Sequence, residues 1–78
     1  MTTISNPKDL GEALTVARKQ LRLTQSQLAL AAGVGVRFVV ELEAGKPTVQ
    51  LERTLRMIAA LGGTLVLTGL VPNDAHGA

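Results

Sequence analysis

Few side chains in this sequence could carry out covalent chemistry. His76 is the only histidine, so no histidine-based acid–base pair or metal cluster can be built, and the absence of cysteine excludes a thiolate site. Ser5 and Ser26 stand at helix-start signals, with no base beside them to activate a hydroxyl. The Gly33-x-Gly35 pair follows no strand and precedes no lysine, unlike a phosphate-binding loop. The sequence therefore predicts a protein that is not an enzyme and that uses no metal or cofactor.

The composition is that of one small domain. Of the 78 residues, 46% are apolar, mostly Ala, Leu and Val, and Phe38 is the one aromatic residue. A core of this size is marginal alone and often gains stability by self-association. The net charge of +2 permits an anionic partner. We expect a cytoplasmic protein with no signal peptide, because cysteine is absent and no apolar run approaches the ~18 residues that span a membrane.

Start and stop signals divide the first half of the chain into two helices. Asn6 followed by Pro7 predicts the start of a first helix, whose apolar residues then recur at helical spacing. Thr24, with Gln27 three residues later, predicts the capped start of a second helix. Gly33 is expected to end this helix, because glycine readily adopts a left-handed backbone. The second helix is only about two turns long and needs neighbours to be stable.

The stretch GVGVRFVVE at residues 33–41 is ambiguous, because valines favour a strand. As a helix it places Val39 and Leu42 on one face. The opposite face would carry Val36, Arg37, Val40, Glu41 and Ala44. As a strand it would have no partner strand nearby in the sequence. We therefore predict a third helix that presents valines to the outside and ends before Gly45 and Pro47.

The remainder of the chain predicts a fourth helix and one strand. Thr48 is the expected cap of the fourth helix, and its apolar face is predicted to contain Leu51, Leu55, Ile58 and Leu61. After Gly62 and Gly63, the alternating segment 64–68 is typical of a strand. The strand consists of Thr64, Leu65, Val66, Leu67 and Thr68. Because the chain contains no second strand, we expect it to pair with a second copy, with its leucines packed on the helices. The domain is predicted to end at residue 71, followed by a disordered tail over 72–78.

Seven positions carry a family resemblance: Gln25, Leu28, Ala29, Gly33, Val34, Val39 and Leu42. With the LTQSQLALAAG and ELEAGK segments, their spacing resembles the helix-turn-helix pattern of the phage-repressor-like (Xre) DNA-binding proteins over residues 8–61. The resemblance implies a small all-α, lambda-repressor-like domain of four helices, here with the C-terminal strand added. It also implies an ion pair between Arg18 and Glu43 that clamps the first helix to the third.

In that family the second helix of the motif lies in the major groove. Carried over by position, the base-contacting candidates are Gly35, Val36, Arg37 and Val40. Among them, Arg37 can make the bidentate contact to guanine, and the valines could pack on thymine methyl groups. The family more often places Ser, Gln or Lys at the valine positions, which favours some readout of DNA shape. Phosphate contacts are expected from Gln25, Lys46 and Thr48. Glu41 is interpreted as a solvated carboxylate.

The chain also resembles HipB-type antitoxins in three features, which are the segment ISNPKDLGEAL, the segment GKPTVQL and a strand in place of a fifth helix. These repress their operons and restrain HipA-like kinase toxins. The resemblance implies a homodimeric repressor that binds an inverted-repeat operator in double-stranded DNA and that also binds a HipA-like kinase. Two alternatives stay open: a protein-interaction module that contacts its partner through Val36 and Val40, and a free-standing phage-like repressor without a toxin.

Overall fold

The computed structural model describes residues 3–71, which form four α-helices. They are α1 (Pro7–Gln20), α2 (Gln25–Ala32), α3 (Val36–Glu43) and α4 (Leu51–Ala60). The predicted all-α class is confirmed, and the ambiguous stretch is helical. None of the helices in the described part of the chain is long and apolar enough to cross a membrane. The predicted disordered tail over 72–78 lies outside the described residues.

The first two helices begin at the predicted caps. The backbone N–H of Asp9 donates to Asn6 Oδ1 at 2.8 Å. At the start of α2, the N–H of Gln27 donates to Thr24 Oγ1 at 3.0 Å, and the N–H of Thr24 donates to Gln27 Oε1 at 2.8 Å. This reciprocal pair satisfies two amides that have no partner within the helix. Gly33 ends α2 in the left-handed region, with φ of 70°.

The core contains side chains from all four helices, with α1 packed on α3, α3 on α2 and α2 on α4. Its most deeply buried side chains are Leu28 of α2, Val39 and Leu42 of α3, and Met57 of α4, which are at most 1% exposed. Leu14, Ala29, Ala32 and Ile58 complete it. The prediction that Val39 and Leu42 share the inner face of the third helix is therefore confirmed.

The start and buried face of α4 differ from the prediction. The helix begins at Leu51 with Gln50 as its cap, so the assignment of Thr48 as cap is wrong. Its buried residues are Thr54, Met57 and Ile58, whereas Leu51 and Leu55 are exposed. Thr54 can be buried because its hydroxyl donates to the Gln50 carbonyl oxygen at 2.8 Å. A pattern of leucines alone does not reveal a face that contains a threonine with a satisfied hydroxyl.

The segment after α4 carries exposed apolar side chains. No strand is assigned in residues 3–71 of the single chain, and residues 63–71 have no regular secondary structure. Leu65 and Leu67 are 53% and 74% exposed in one copy, and the expectation that they pack on the helices concerns the dimer and stays a prediction. A strand pairs through backbone hydrogen bonds with a partner strand, and the expected partner is a second copy. The strand at 64–68 therefore stays a prediction.

Candidate nucleic-acid interface

A tight turn joins α2 to α3 and sets the position of the second helix. The N–H of Val34 donates to the Ala29 carbonyl oxygen at 3.0 Å, which closes the end of α2 around the left-handed Gly33. Gly35 then precedes α3 in extended backbone with no side-chain cap. Residues 25–43, which comprise α2, the turn and α3, thus form a helix-turn-helix unit. The first amides of α3 have no side-chain acceptor, so they are available to an anion.

The outer face of α3 is open to solvent. Val36 and Val40 are 46% and 44% exposed, and the Arg37 side chain is 90% exposed. A Cβ atom built on Gly35 would meet no other atom within 4 Å, so this position also faces open space. The structure thus brings the four base-contacting candidates to one end and one face of a helix whose opposite face is locked in the core.

Glu41 lies between two cations at the edge of this face. Its Oε2 atom is 3.5 Å from Arg37 Nε and 3.4 Å from Lys46 Nζ. The backbone N–H of Lys46 also donates to the Glu41 carbonyl oxygen at 3.0 Å, after the chain turns through Gly45 with φ of 86°. Glu41 is therefore a partly exposed carboxylate, as interpreted from the sequence, and the turn after α3 adds Lys46 as a neighbour that the sequence interpretation did not include.

Arg18 and Glu43 connect α1 to the end of α3. Arg18 Nε donates to Glu43 Oε2 at 2.7 Å, and Nη2 donates to Oε1 at 3.1 Å. Both side chains are largely buried, at 11% and 6% exposed. Arg18 Nη1 donates to the Leu23 carbonyl oxygen at 2.8 Å, so the guanidinium also ties down the α1–α2 turn. The pair has the bidentate geometry that makes arginine–carboxylate contacts strong.

The environment of Glu43 favours its ionised form. Burial by itself raises the pKa of this carboxyl, but hydrogen bonds from Arg18 and Gln25 outweigh burial and hold the pKa below its usual range. The hydrogen bond to Glu43 in turn raises the pKa of Arg18, although burial opposes it. The carboxylate and guanidinium are thus both charged near neutral pH.

The candidate phosphate contacts stand in different environments. Gln25 is half-buried at the first position of α2, where its Nε2 donates to Glu43 Oε1 at 3.0 Å. One amide hydrogen is therefore used within the protein, and the second hydrogen and the carbonyl oxygen remain for other partners. Lys46 and Thr48 lie in the exposed linker between α3 and α4. Lys46 is connected to the α3 face through Glu41.

Arg56 of α4 has a structural contact that the sequence did not indicate. Its Nη1 donates to the Gly33 carbonyl oxygen at 3.2 Å, and its Nε donates to Glu52 Oε2 at 2.6 Å. Arg56 and Gly33 are 23 positions apart in the sequence, and the packing of α2 on α4 brings them together. Glu52 at i−4 was the one local signal that Arg56 would be held in place.

Comparison with known proteins agrees with this geometry. The helix-turn-helix family HTH_3 matches residues 16–67. The chain belongs to this helix-turn-helix family. It is similar to the HTH-type transcriptional regulator y4mF of Sinorhizobium fredii, with 48% identity over 59 residues that cover 76% of this chain and 78% of the relative. An HTH-type transcriptional regulator of Haemophilus influenzae is 37% identical over 62 residues, covering 80% of this chain and 63% of the relative. The protein is a DNA-binding transcriptional regulator, in agreement with the prediction that it is not an enzyme.

Solved structures share the fold of this helix-turn-helix regulator. A chain of a HipA-HipB-O2-O3 complex has a TM-score of 0.81 at 24% identity, covering 87% of this chain and 96% of that chain. A HipB-O4 20mer complex gives the same values. A structure described as MDT Protein has a TM-score of 0.79 at 25% identity. The resemblance to HipB-type proteins is therefore confirmed at the level of fold. Among residues 3–71, no three His, Cys, Asp or Glu side chains could hold a metal ion together.

Proposed function

We propose that this regulator is a repressor that binds an inverted-repeat operator as a homodimer and inserts α3 into the major groove. The observation that carries the proposal is the outer face of α3. There the Arg37 side chain is 90% exposed between two half-exposed valines, while Val39 and Leu42 anchor the helix in the core. A fixed helix with an exposed arginine matches the requirement for direct readout of bases.

Each residue of the proposed interface has a separate role. Arg37 donates two hydrogen bonds to guanine O6 and N7, and Val36 and Val40 pack on thymine methyl groups. Gly35 lets the backbone approach the DNA, because its Cβ position is empty space. Phosphate contacts from Gln25, Lys46 and Thr48 fix the position of the domain without reading sequence. Gln25 also links this phosphate contact to Glu43 and hence to α1.

The homodimer is proposed to form through residues 64–68. Five apolar side chains in and beside this segment are exposed in one copy: Leu65, Val66, Leu67, Leu70 and Val71. Pairing of two such segments about a two-fold axis satisfies their inner backbone groups and lets the apolar side chains be buried between copies and helices. A two-fold protein then requires an operator with two half-sites about 10 bp, or a multiple, apart.

We further propose that the regulator is the antitoxin of a HipA-like kinase module. The support is its likeness in fold to a chain of a HipA-HipB-O2-O3 complex. The neighbouring reading frame distinguishes this proposal from a free-standing repressor. If it encodes a kinase-like protein, the two products should co-purify. If they do not, the repressor stands without the toxin.

Footprinting on the DNA upstream of the gene tests the repressor proposal. The expected result is protection of a palindrome at low salt by the wild-type protein. The Arg37→Ala variant should protect it less well, with its helix content unchanged by circular dichroism. If no palindrome is protected at low salt, the repressor proposal fails. The protein-interaction alternative would then assign Val36 and Val40 to a protein partner.

A further inference from the structure

We propose that Glu41 is a specificity-determining residue, which discriminates against non-operator DNA by holding Arg37 and Lys46 away from phosphates. The inference deepens the proposed operator binding and rests on it. The starting observation is that a single carboxylate oxygen, Glu41 Oε2, lies within 3.5 Å of both cationic groups. Arg37 is a candidate contact to bases, and Lys46 is a candidate contact to phosphates.

The charges of the helix-turn-helix unit make this pairing important. α2 contains no charged side chain, and α3 contains Arg37, Glu41 and Glu43. Glu43 is already matched by Arg18 inside the protein. On the outer face, therefore, Glu41 cancels the charge of the only cation in residues 25–43. Arg37, Lys46 and Glu41 together carry a net charge of +1, whereas the two cations without Glu41 would carry +2.

The pairing is poorly explained by helix stability. Arg37 precedes Glu41 by four residues, which is the less favourable order for such a pair on a helix. A carboxylate near the C-terminal end of α3 is also opposed by the helix dipole. Exposed ion pairs of this kind contribute little to folding. A role toward a ligand of the same face accounts better for the position of Glu41.

The backbone keeps Lys46 available to this carboxylate. The chain turns at Gly45 in the left-handed region, and the Lys46 N–H donates to the Glu41 carbonyl oxygen. The Lys46 backbone therefore lies next to that of Glu41, and both side chains start from the same part of the surface. A phosphate must therefore compete with a preformed intramolecular partner for Lys46. The Glu41 side chain is 32% exposed, so this competition is less screened by water than at a fully exposed site.

The consequence differs between operator and other DNA. On the operator, Arg37 can bond guanine through Nη1 and Nη2 while its Nε stays beside Glu41 Oε2, so this ion pair need not break. On other sequences no such bonds form, and the cations gain only phosphate contacts that Glu41 opposes. Removal of the Glu41 charge should therefore strengthen non-operator binding more than operator binding.

The test compares the wild-type protein with Glu41→Gln on operator and scrambled duplexes over a range of salt concentrations. The variant should bind scrambled DNA about five- to tenfold more tightly near 0.1 M salt. The salt dependence of its affinity should steepen by about one unit of slope per protomer, as expected for one additional phosphate contact. Operator affinity should rise less, so the ratio of operator to scrambled affinity falls. Adding Lys46→Ala to Glu41→Gln should remove most of the gain on scrambled DNA.

Glu12→Gln is the matched control, because Glu12 is exposed on α1 and its substitution changes the net charge equally. It should leave the affinity ratio unchanged. Equal gains on both duplexes, or no gain on scrambled DNA, would overturn the role of Glu41. Loss of operator affinity alone would also overturn it, since Glu41 would then contact a base. If the wild-type protein itself does not distinguish the two duplexes, the proposed repressor function fails instead.

Discussion

Gly11 of α1 lies directly against the carbonyl oxygen of Glu43 at the end of α3. A Cβ atom built on Gly11 would be 2.5 Å from that oxygen and 2.6 Å from the carbonyl oxygen of Leu42. Because both neighbours are backbone atoms, no side-chain rotation could make room. The glycine thus lets α1 approach α3 closely enough for Arg18 to reach Glu43 in bidentate geometry.

Gly11→Ala should destabilise the protein although alanine favours helices. Alanine gains about 1 kcal/mol of helix propensity, but forcing a methyl group into a packed backbone contact costs typically about 1–3 kcal/mol and can cost more. We expect a net loss, measured by urea unfolding followed by circular dichroism. Gly35→Ala, whose Cβ would meet no atom within 4 Å, is the control and should unfold close to wild type. A Gly11→Ala variant more stable than wild type would contradict the close contact.

Arg18 and Glu43 should show strong energetic coupling. Removal of one partner of a buried pair typically costs about 3–5 kcal/mol, because the other charge is left without compensation. The free energy of unfolding of Arg18→Met, Glu43→Gln and the double variant should therefore be far from additive, with the double variant less destabilised than the sum. Coupling near zero would mean that the ion pair contributes no specific interaction in solution.

The contribution of Glu43 should disappear in acid. Its pKa is lower in the folded protein than in the unfolded chain, so its stabilising effect is fully present above the usual glutamate range. The effect is lost as pH falls through the lowered folded-state pKa. The difference in free energy of unfolding between wild type and Glu43→Gln should thus be constant near neutral pH and shrink below about pH 4.3. An unchanged difference at low pH would contradict the lowered pKa.

Arg37→Ala should affect both the strength and the selectivity of operator binding. Loss of a bidentate contact to guanine is expected to cost about 1–3 kcal/mol and to relax the preference at one base pair in each half-site. Binding measurements on operators with single substitutions provide the test. Arg53→Ala, which removes an exposed arginine of α4, is the control and should keep the preference. Retention of full selectivity by Arg37→Ala would assign readout to other residues or to DNA shape.

Val66→Pro should convert the dimer to a monomer. Proline removes a backbone N–H from the proposed ladder, so pairing between copies is lost while the helices keep their hydrogen bonds. Analytical ultracentrifugation should show half the wild-type mass, circular dichroism should show unchanged helix content, and operator binding should weaken strongly. Val71→Pro, outside the predicted strand, should remain dimeric. If Val66→Pro also remains dimeric, the helices must form the interface.

The sequence itself determined the features that depend on residues close together in the chain. Asn6 caps α1, and Thr24 and Gln27 form the capping box of α2, because these hydrogen bonds join positions three residues apart. The inner face of α3 followed from the helical period applied to Val39 and Leu42. The same local reasoning placed Val36 and Val40 outside, against their preference for strands. The exposure of these valines could therefore be predicted, while their role as base contacts comes from the family resemblance and stays a prediction.

Only the tertiary structure decided the features that depend on residues far apart. The buried face of α4 includes Thr54, which lines one cavity with Leu10 of α1 and Leu42 of α3, and Arg56 meets Gly33 because α2 packs on α4. Lys46 meets Glu41 because the turn at Gly45 returns the chain to α3, whereas Arg37 lies one helical turn before Glu41 on the same helix. Gly11, which weakens an isolated helix, became the point of closest approach between α1 and α3. Packing decides these contacts, and packing is set by which helix faces meet rather than by any short run of residues.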